Sequence, residues 1–206
     1  MLHTHTYILY QPIFGPHSGD KPVAYEALTR NQHIVNPAHV VNPLRQASAF
    51  AHLQMCIESA RSALANTGIP LHINVSPETL LVGSNLLKEE KTIQLVLALL
   101  EEYDFEPYMK LIEHIGLPVF IDDIDRNAHW VSLLNHHCIV GAKTSVKFYK
   151  NSLIDNPSLI KSFVQFFESQ GMSFIVEGVE DAVVANEILD SGGYVQGFAL
   201  GKPVVL

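Results

Sequence analysis

The stretch "SLIKSFVQFFESQGMSFIVEGVEDAVVANEILDSGGYVQ" (Ser158–Gln196) contains the same structural unit twice. In each copy an amphipathic helix ends near glycine, and an apolar strand follows it. The first strand ends at Glu177 and the second at Gln196, while Asp181 precedes the second helix and is predicted to cap it. Alternating helices and strands with short links are typical of parallel strands joined by crossover helices.

The same unit recurs toward the amino terminus, where strand patterns end at Asn74 and at Asp122–Asp123. Four further segments have strand-like patterns, namely "YILYQPI" (7–13), "VAYEALTR" (23–30), "TIQLVLAL" (92–99) and "GAKTSVKFY" (141–149). About eight strands close a (β/α)8 barrel, whose lower size limit is near 200 residues. We therefore predict an α/β chain that forms a single (β/α)8 TIM-like barrel with shortened helices, as one domain over residues 1–206.

Composition excludes several classes of protein. Of the 206 residues, 48% are hydrophobic, which suits one domain with a substantial core. A formal net charge of -8 argues against a partner that is a nucleic acid polymer. No apolar run reaches the length of a membrane span, and the start "MLHTHTY" has no secretory h-region. We therefore expect no membrane insertion and a cytoplasmic location.

Cysteine and histidine patterns carry little signal. Cys56 and Cys138 lack the CxxC spacing, so they predict neither a disulfide framework nor a zinc site. The pairs His3/His5 and His136/His137 have no third ligand nearby in the sequence, and a surface or packing role is the favoured interpretation.

Polar residues end the predicted strands, and in such barrels the carboxyl ends of the strands form the active site. In chain order these residues are Gln11, Glu26, Asn74, Asp122 with Asp123, Lys143, Glu177 and Gln196. Carboxylates and an asparagine oxygen are hard donors that suit Mg²⁺ or Mn²⁺. Two such ions can hold the attacking water and the leaving oxygen of a phosphodiester.

Two basic residues fit that chemistry. Lys143 can position or deprotonate the water or hold a phosphate oxygen, and Arg30 can bind a phosphate or a base through its fork of donors. A barrel aldolase with Lys143 as its Schiff base is a second interpretation, which the many carboxylates disfavour.

The ordered motifs resemble those of the EAL domain family of bacterial cyclic-di-GMP signalling over essentially the whole chain. They are "YQPIFGPHSGDKPVAYEALTR", "INVSPETL", "VFIDD", "AKTSVKFY", "IVEGVED" and "YVQGFALGKP". The resemblance implies a barrel that linearises cyclic-di-GMP to pGpG with two Mg²⁺ or Mn²⁺ ions. It also implies that the domain could form a homodimer or bind a regulatory protein.

The resemblance also implies roles for individual residues. The implied metal ligands are Glu26, Asn74, Asp122 and Asp123. Lys143 is implied to activate the water, Glu26, Glu177 and Glu180 to supply the acidic catalytic site, and Gln196 to support it. The implied nucleotide contacts are Gln11, Leu28, Arg30 and Gln196.

One metal ligand depends on the register of a strand. The family carries a strand of the type E-I-T-E, whose first glutamate binds metal. If "LVLALLEE" is that strand, Ala98 replaces the ligand and Glu101 matches the second glutamate; if "YMKLIEHI" is the strand, Glu113 is the ligand. The second register leaves too short a link to "VFIDD" for a parallel crossover, so the first is favoured.

Two further departures concern turnover. The family's F-G-T-G-Y-S-S loop is replaced by Ile124–Trp130, which has no glycine, and Ser145 replaces an aspartate two residues after the lysine. Trp130 is expected to pack on the barrel. We therefore predict a cyclic-di-GMP-binding domain with weak or absent turnover, and the alternatives are a competent phosphodiesterase and an inactive protein-binding regulator that no longer uses the nucleotide.

Overall fold

The computed structural model describes residues 6–31, 46–100, 103–125, 128–156 and 158–206. Within them one eight-stranded sheet runs in chain order. Its strands are β1 Thr6–Ile13, β2 Ala24–Asn31, β3 Leu71–Val75, β4 Leu95–Leu100, β5 Val119–Ile124, β6 Ile139–Thr144, β7 Ser173–Glu177 and β8 Tyr194–Gln196.

Helices lie between most of the strands, and several are short, as the sequence predicts. They are α1 Gln46–Leu64, α2 Pro77–Glu89, α3 Met109–Ile115, α4 Val146–Asp155, α5 Ser158–Ser169 and α6 Ala182–Asp190, with 3-10 helices at Glu106–Tyr108 and Ala128–Asn135. Asp181 caps α6, because its Oδ1 accepts hydrogen bonds from the backbone N–H groups of Val183 and Val184 at 2.7 and 3.1 Å.

The sheet is nearly closed into a barrel, which confirms the predicted fold class. Strands β2 to β8 are parallel neighbours, whereas β1 runs antiparallel to β2 along its whole length. The link 14–23 is too short for a helical crossover, and an antiparallel pair needs none. Phe14 and Val195 exchange two backbone hydrogen bonds of 2.9 Å, and this bridge joins the chain after β1 to β8.

Two strand predictions are settled by these boundaries. Strand β4 contains Ala98, which pairs with Asn74 of β3 and Phe120 of β5, so the favoured register is confirmed. Tyr108–Ile115 is not a strand, and Glu113 lies in α3. Glu101 lies outside the described residues.

The strand predicted over "GAKTSVKFY" was too long. Strand β6 ends at Thr144, because the Ser145 hydroxyl accepts a hydrogen bond of 3.1 Å from the backbone N–H of Phe148. That bond caps α4 and turns the rest of the segment into helix.

A small apolar cluster fills the inside of the barrel, separate from the large core between sheet and helices. Its buried members are Ile13, Ala24, Val96, Phe120 and Ile175. Gly141 makes room for it, since a Cβ there would lie 2.4 Å from the Phe120 ring. We call this cluster the apolar layer.

No helix among the residues that the structure describes combines the length and the apolar character needed to cross a membrane.

Candidate functional site

A polar layer lies directly above the apolar layer, toward the carboxyl ends of the parallel strands. Side chains on a strand alternate between its two faces, so residues two positions apart share a face. Counting two positions along each strand from the apolar layer gives the polar layer. It consists of Gln11, Glu26, Ala98, Asp122 and Glu177, and Asn74, Lys143 and Gln196 join it from the remaining strands.

Lys143 lies at the centre of this layer and is fully buried. Its Nζ is 2.6 Å from Glu177 Oε1, 3.0 Å from Glu26 Oε1 and 3.2 Å from Asp122 Oδ1. Burial alone lowers the pKa of Lys143, but the carboxylates outweigh it and hold that pKa well above its usual value. In the protein without bound cations Lys143 is therefore an ammonium group that donates hydrogen bonds.

The carboxylates around Lys143 respond differently to burial. Burial raises the pKa of Asp122 to about 7 against the opposing effect of Lys143, with a further increase from the charge of Glu26. Burial likewise raises the pKa of Glu177 well above its usual value. For Glu26, burial is outweighed by Lys143 and by hydrogen bonds from Gln196 and Asn74, so its pKa is lowered. Glu26 is the most stable anion of the group.

Two side-chain amides hold Glu26 in place. Asn74 Nδ2 donates to Glu26 Oε1 at 2.9 Å, and Gln196 Nε2 donates to Glu26 Oε2. Asn74 Oδ1 and Gln196 Oε1 are buried and have no hydrogen-bond partner among the described residues. A buried acceptor without a donor costs about 1–3 kcal/mol, and a cation would relieve it.

The donor set fits a divalent cation. Oxygen atoms of Glu26, Asp122 and Glu177 lie within 4.8 Å of one another. These three carboxylates carry a formal charge that Lys143 offsets only in part, and Asn74 Oδ1 adds a neutral oxygen donor. Hard oxygen ligands of this kind suit Mg²⁺ or Mn²⁺.

Asp123 differs from its neighbour Asp122. Its side chain is exposed, and its backbone has φ 57°, in the left-handed region that aspartate tolerates better than most residues. Its backbone N–H donates to Asp122 Oδ1 at 2.9 Å. Asp123 therefore orients the buried aspartate through its backbone, while its own side chain is exposed.

A cavity of about 250 Å³ opens beside the polar layer. Gln11, Arg30, Glu177 and Gln196 are among the residues that line it. Leu28 lies between Glu26 and Arg30 on the same face of β2 and is half-buried. The structure thus brings Gln11, Arg30 and Gln196 to one opening, whereas Leu28 is not among the residues that line it.

Glu180 lies apart from the buried carboxylates. It lines the cavity, but its side chain is 64% exposed and pairs with Lys150 at 3.2 Å. The contacts of Lys143 in the described structure come from Glu26, Asp122 and Glu177 instead.

Ala98 is the gap in the polar layer. It is fully buried beside Asn74, and its methyl group offers no ligand where the resemblance predicts a glutamate. Ser145 stands where the resemblance predicts an aspartate. Its hydroxyl caps α4 and supplies no carboxylate beside Lys143.

Trp130 packs on the barrel, as the sequence predicts. The ring is 7% exposed and stacks on Phe167 at 6.0 Å, and its Nε1 donates to the backbone oxygen of Asp125 at 3.3 Å. Arg126 and Asn127 of the altered loop, like His3 and His5, lie outside the described residues.

His72 belongs to the barrel interior and was missed in the sequence. It lies two residues before Asn74 in β3 and packs on Phe120, with ring centroids 4.8 Å apart. Burial, aided by the charge of Lys143, lowers the pKa of His72 to about 3, so its imidazole is neutral. The two-residue alternation of β3 is the signal that could have found it.

Asp122 should make the metal-free protein less stable as pH rises. Its folded pKa of about 7 lies above the ordinary aspartate value, so protonated Asp122 favours folding below that ordinary value. This contribution is lost as pH rises toward 7. Chemical denaturation between pH 5 and 8 in a chelator measures it, and Asp122→Asn should flatten the profile. An equally steep profile in Asp122→Asn would contradict the assignment.

Within the described residues, the chain is a nearly closed barrel with a buried polar layer at the carboxyl ends of its parallel strands. The chain belongs to the EAL domain family, because the family model described as "EAL domain" matches residues 2–203. No curated protein sequence matches the chain.

Solved structures share the fold. A Klebsiella pneumoniae BlrP1 manganese and cyclic-di-GMP complex matches at TM-score 0.77 and 20% identity, covering 99% of this chain and 57% of that one. The chain thus spans a little over half of that protein. The Pseudomonas aeruginosa FimX EAL domain, bound to cyclic-di-GMP, matches at TM-score 0.75 and 21% identity, covering 98% and 92% of the two chains. The Bacillus subtilis YkuI protein, in complex with cyclic-di-GMP and calcium, matches at TM-score 0.76 and 18% identity, covering 98% of this chain and 56% of that one.

Proposed function

We propose that this EAL domain acts in the cytoplasm, binds cyclic-di-GMP with the help of Mg²⁺ or Mn²⁺, and hydrolyses it weakly or not at all. The observation that carries the proposal is the polar layer. It keeps a buried carboxylate set with orphaned amide oxygens beside an arginine-lined cavity, yet has alanine at one ligand position.

The proposal that the domain binds the nucleotide rests on Arg30 and Gln11. Arg30 lines the cavity, and its Nη1 donates to the backbone oxygen of Thr29 at 2.9 Å, which leaves further guanidinium N–H groups for a phosphate or a guanine edge. Gln11 lies opposite Glu26 in the β1–β2 pair and supplies an amide at the same opening. The solved complexes of BlrP1 and FimX with cyclic-di-GMP support this choice of ligand.

The proposal that the domain binds a divalent cation rests on Glu26, Asp122, Glu177 and the Asn74 oxygen that has no hydrogen-bond partner among the described residues. When bound, a divalent cation polarises a phosphoryl oxygen and lowers the pKa of a coordinated water. The manganese complex of BlrP1 and the calcium complex of YkuI support a divalent ion in this position.

Weak turnover follows from what the chain lacks. Ala98 removes a carboxylate from the layer, and Ser145, whose hydroxyl caps α4, supplies none where the resemblance predicts an aspartate after Lys143. Losing a side chain that only orients a metal ligand costs about 10- to 100-fold in metal affinity or activity, and losing the ligand itself should cost more.

Titration calorimetry with cyclic-di-GMP tests binding, in Mg²⁺, in Mn²⁺ and in a chelator, and chromatography of the same mixtures tests turnover. Binding that strengthens with the metal, with little linear pGpG, is the expected result. Fast conversion to pGpG would overturn the weak-turnover part. No binding under any of these conditions would overturn the proposal and favour a regulator that acts through protein contacts.

Arg30→Ala should weaken cyclic-di-GMP binding by about 10- to 100-fold, because a hydrogen bond to a charged group contributes about 1.5–3 kcal/mol. Calorimetry measures it. Lys110→Ala is the matched control, since it also removes one positive charge but lies exposed on α3. Equal affinities for the two variants would contradict the role of Arg30.

A further inference from the structure

Two consecutive residues of β6 hold Glu177 at its two ends. Lys143 Nζ lies 2.6 Å from Glu177 Oε1, and the backbone N–H of Glu177 donates a hydrogen bond of 3.0 Å to Thr144 Oγ1. Side chains alternate along a strand, so Thr144 faces away from the barrel interior that holds Lys143. Thr144 is fully buried and lies outside the polar layer, yet it contacts the backbone of a residue that belongs to it.

The Thr144 hydroxyl bonds to Glu177 at a point where the two strands no longer pair. The pairing of β6 with β7 ends at Lys143 and Ile175, so Glu177 lies two residues beyond the last pair. Strand β6 leaves the sheet here, because Ser145 caps α4. Backbone N–H groups away from water need an acceptor. The hydroxyl therefore extends the bonding between β6 and β7 by one hydrogen bond, up to the residue that carries the carboxylate.

Glu177 is also the last residue of β7. The next residue, Gly178, has φ 69°, a left-handed conformation that glycine adopts without strain, and the chain turns away there. Toward β8 Glu177 still pairs with Gln196. Toward β6 the bond to Thr144 holds it. Without that hydroxyl the end of β7, and with it the origin of the Glu177 side chain, would be held from one side.

We propose that Thr144 is a positioning residue for Glu177 and thereby sets the affinity of the polar layer for Mg²⁺ or Mn²⁺. The inference rests on the proposed function, in which Glu177 is one of the cation ligands. Thr144 acts through the backbone of Glu177 and not through the ion itself. Groups that orient a metal ligand contribute about 10- to 100-fold to metal affinity.

Mn²⁺ titration followed by electron paramagnetic resonance of the free ion tests the role of Thr144 without nucleotide or turnover. Thr144→Val keeps the shape of the side chain, removes the hydroxyl and should weaken Mn²⁺ binding by about tenfold or more. Thr144→Ser keeps the hydroxyl, removes a buried methyl group and should bind Mn²⁺ nearly as tightly as the unmodified protein. If Thr144 only packed the core, affinity would not follow the hydroxyl in this way.

Ser152→Ala is the matched control. Ser152 is likewise fully buried, but its hydroxyl has no hydrogen-bond partner among the described residues, so its removal should leave Mn²⁺ affinity unchanged. Equal Mn²⁺ affinities for Thr144→Val and the unmodified protein would overturn the inference. An equal loss of affinity in Ser152→Ala, or in Thr144→Ser, would overturn it as well.

Amide hydrogen exchange in a chelator separates this inference from the proposed function. The Glu177 amide should exchange faster in Thr144→Val than in the unmodified protein, and Thr144→Ser should restore the slow exchange. An unmodified protein that bound no Mn²⁺ would overturn the proposed cation site, and these exchange rates would then decide whether Thr144 holds Glu177. Equal exchange in all three proteins would overturn the positioning role, whatever the Mn²⁺ titration showed.

Discussion

Lys143→Met is expected to lower the free energy of unfolding of the metal-free protein by about 3–5 kcal/mol, the usual effect of removing one partner from a buried ion pair. The reason is that Glu26, Asp122 and Glu177 would lose the ammonium that each of them contacts. Divalent cations should restore part of the loss, because they supply the missing positive charge. Denaturant unfolding with and without Mn²⁺ at pH 8 measures both effects.

Lys150→Met is the matched control for this substitution. It breaks an ion pair with Glu180 in which both side chains are more than half exposed, so the expected change is below about 1 kcal/mol and insensitive to Mn²⁺. If Mn²⁺ stabilised Lys143→Met no more than the unmodified protein, the carboxylates would not form the cation site.

Ala98→Glu is expected to strengthen Mn²⁺ binding by about tenfold or more and to produce measurable conversion of cyclic-di-GMP to pGpG. The reason is that Ala98 pairs with Asn74 and shares the inward face of β4 with Val96, so a carboxylate there joins the other ligands. Losing a group that orients a ligand costs about 10- to 100-fold, and gaining a ligand should reverse a change of that size. Mn²⁺ titration and product chromatography measure the two effects.

Ala98→Gln controls for volume, since glutamine has nearly the same size as glutamate but no charge. It should leave Mn²⁺ affinity and turnover close to those of the unmodified protein. Indistinguishable Mn²⁺ affinities for Ala98→Glu and Ala98→Gln would mean that position 98 does not reach the ion.

The fold and much of the site follow from local patterns. An apolar run with a polar residue at its end predicts a buried strand, and parallel strands bring their carboxyl ends together, so Glu26, Asp122 and Glu177 can be placed at one edge before any coordinates are known. The strand register at Ala98 also follows, because a parallel neighbour requires a crossover of adequate length.

Other features depend on three-dimensional context. The link 14–23 permits more than one strand direction, so the antiparallel β1 is not evident in the sequence. Asp122 and Asp123 look equivalent as adjacent aspartates, yet one is buried and the other is exposed with a left-handed backbone. The contacts of Glu113 with His136 and His137 join residues more than twenty positions apart, which no local pattern shows.

The apolar layer beneath the site has a kinetic consequence. Because Phe120, Val96 and Ile175 fill the barrel interior below Lys143, the carboxylates reach solvent through the carboxyl end in the part of the chain that the structure describes. Cyclic-di-GMP bound against Arg30 would cover that route. Cation and nucleotide would then associate in a compulsory order, the ion first, and the ion would dissociate only after the nucleotide had left.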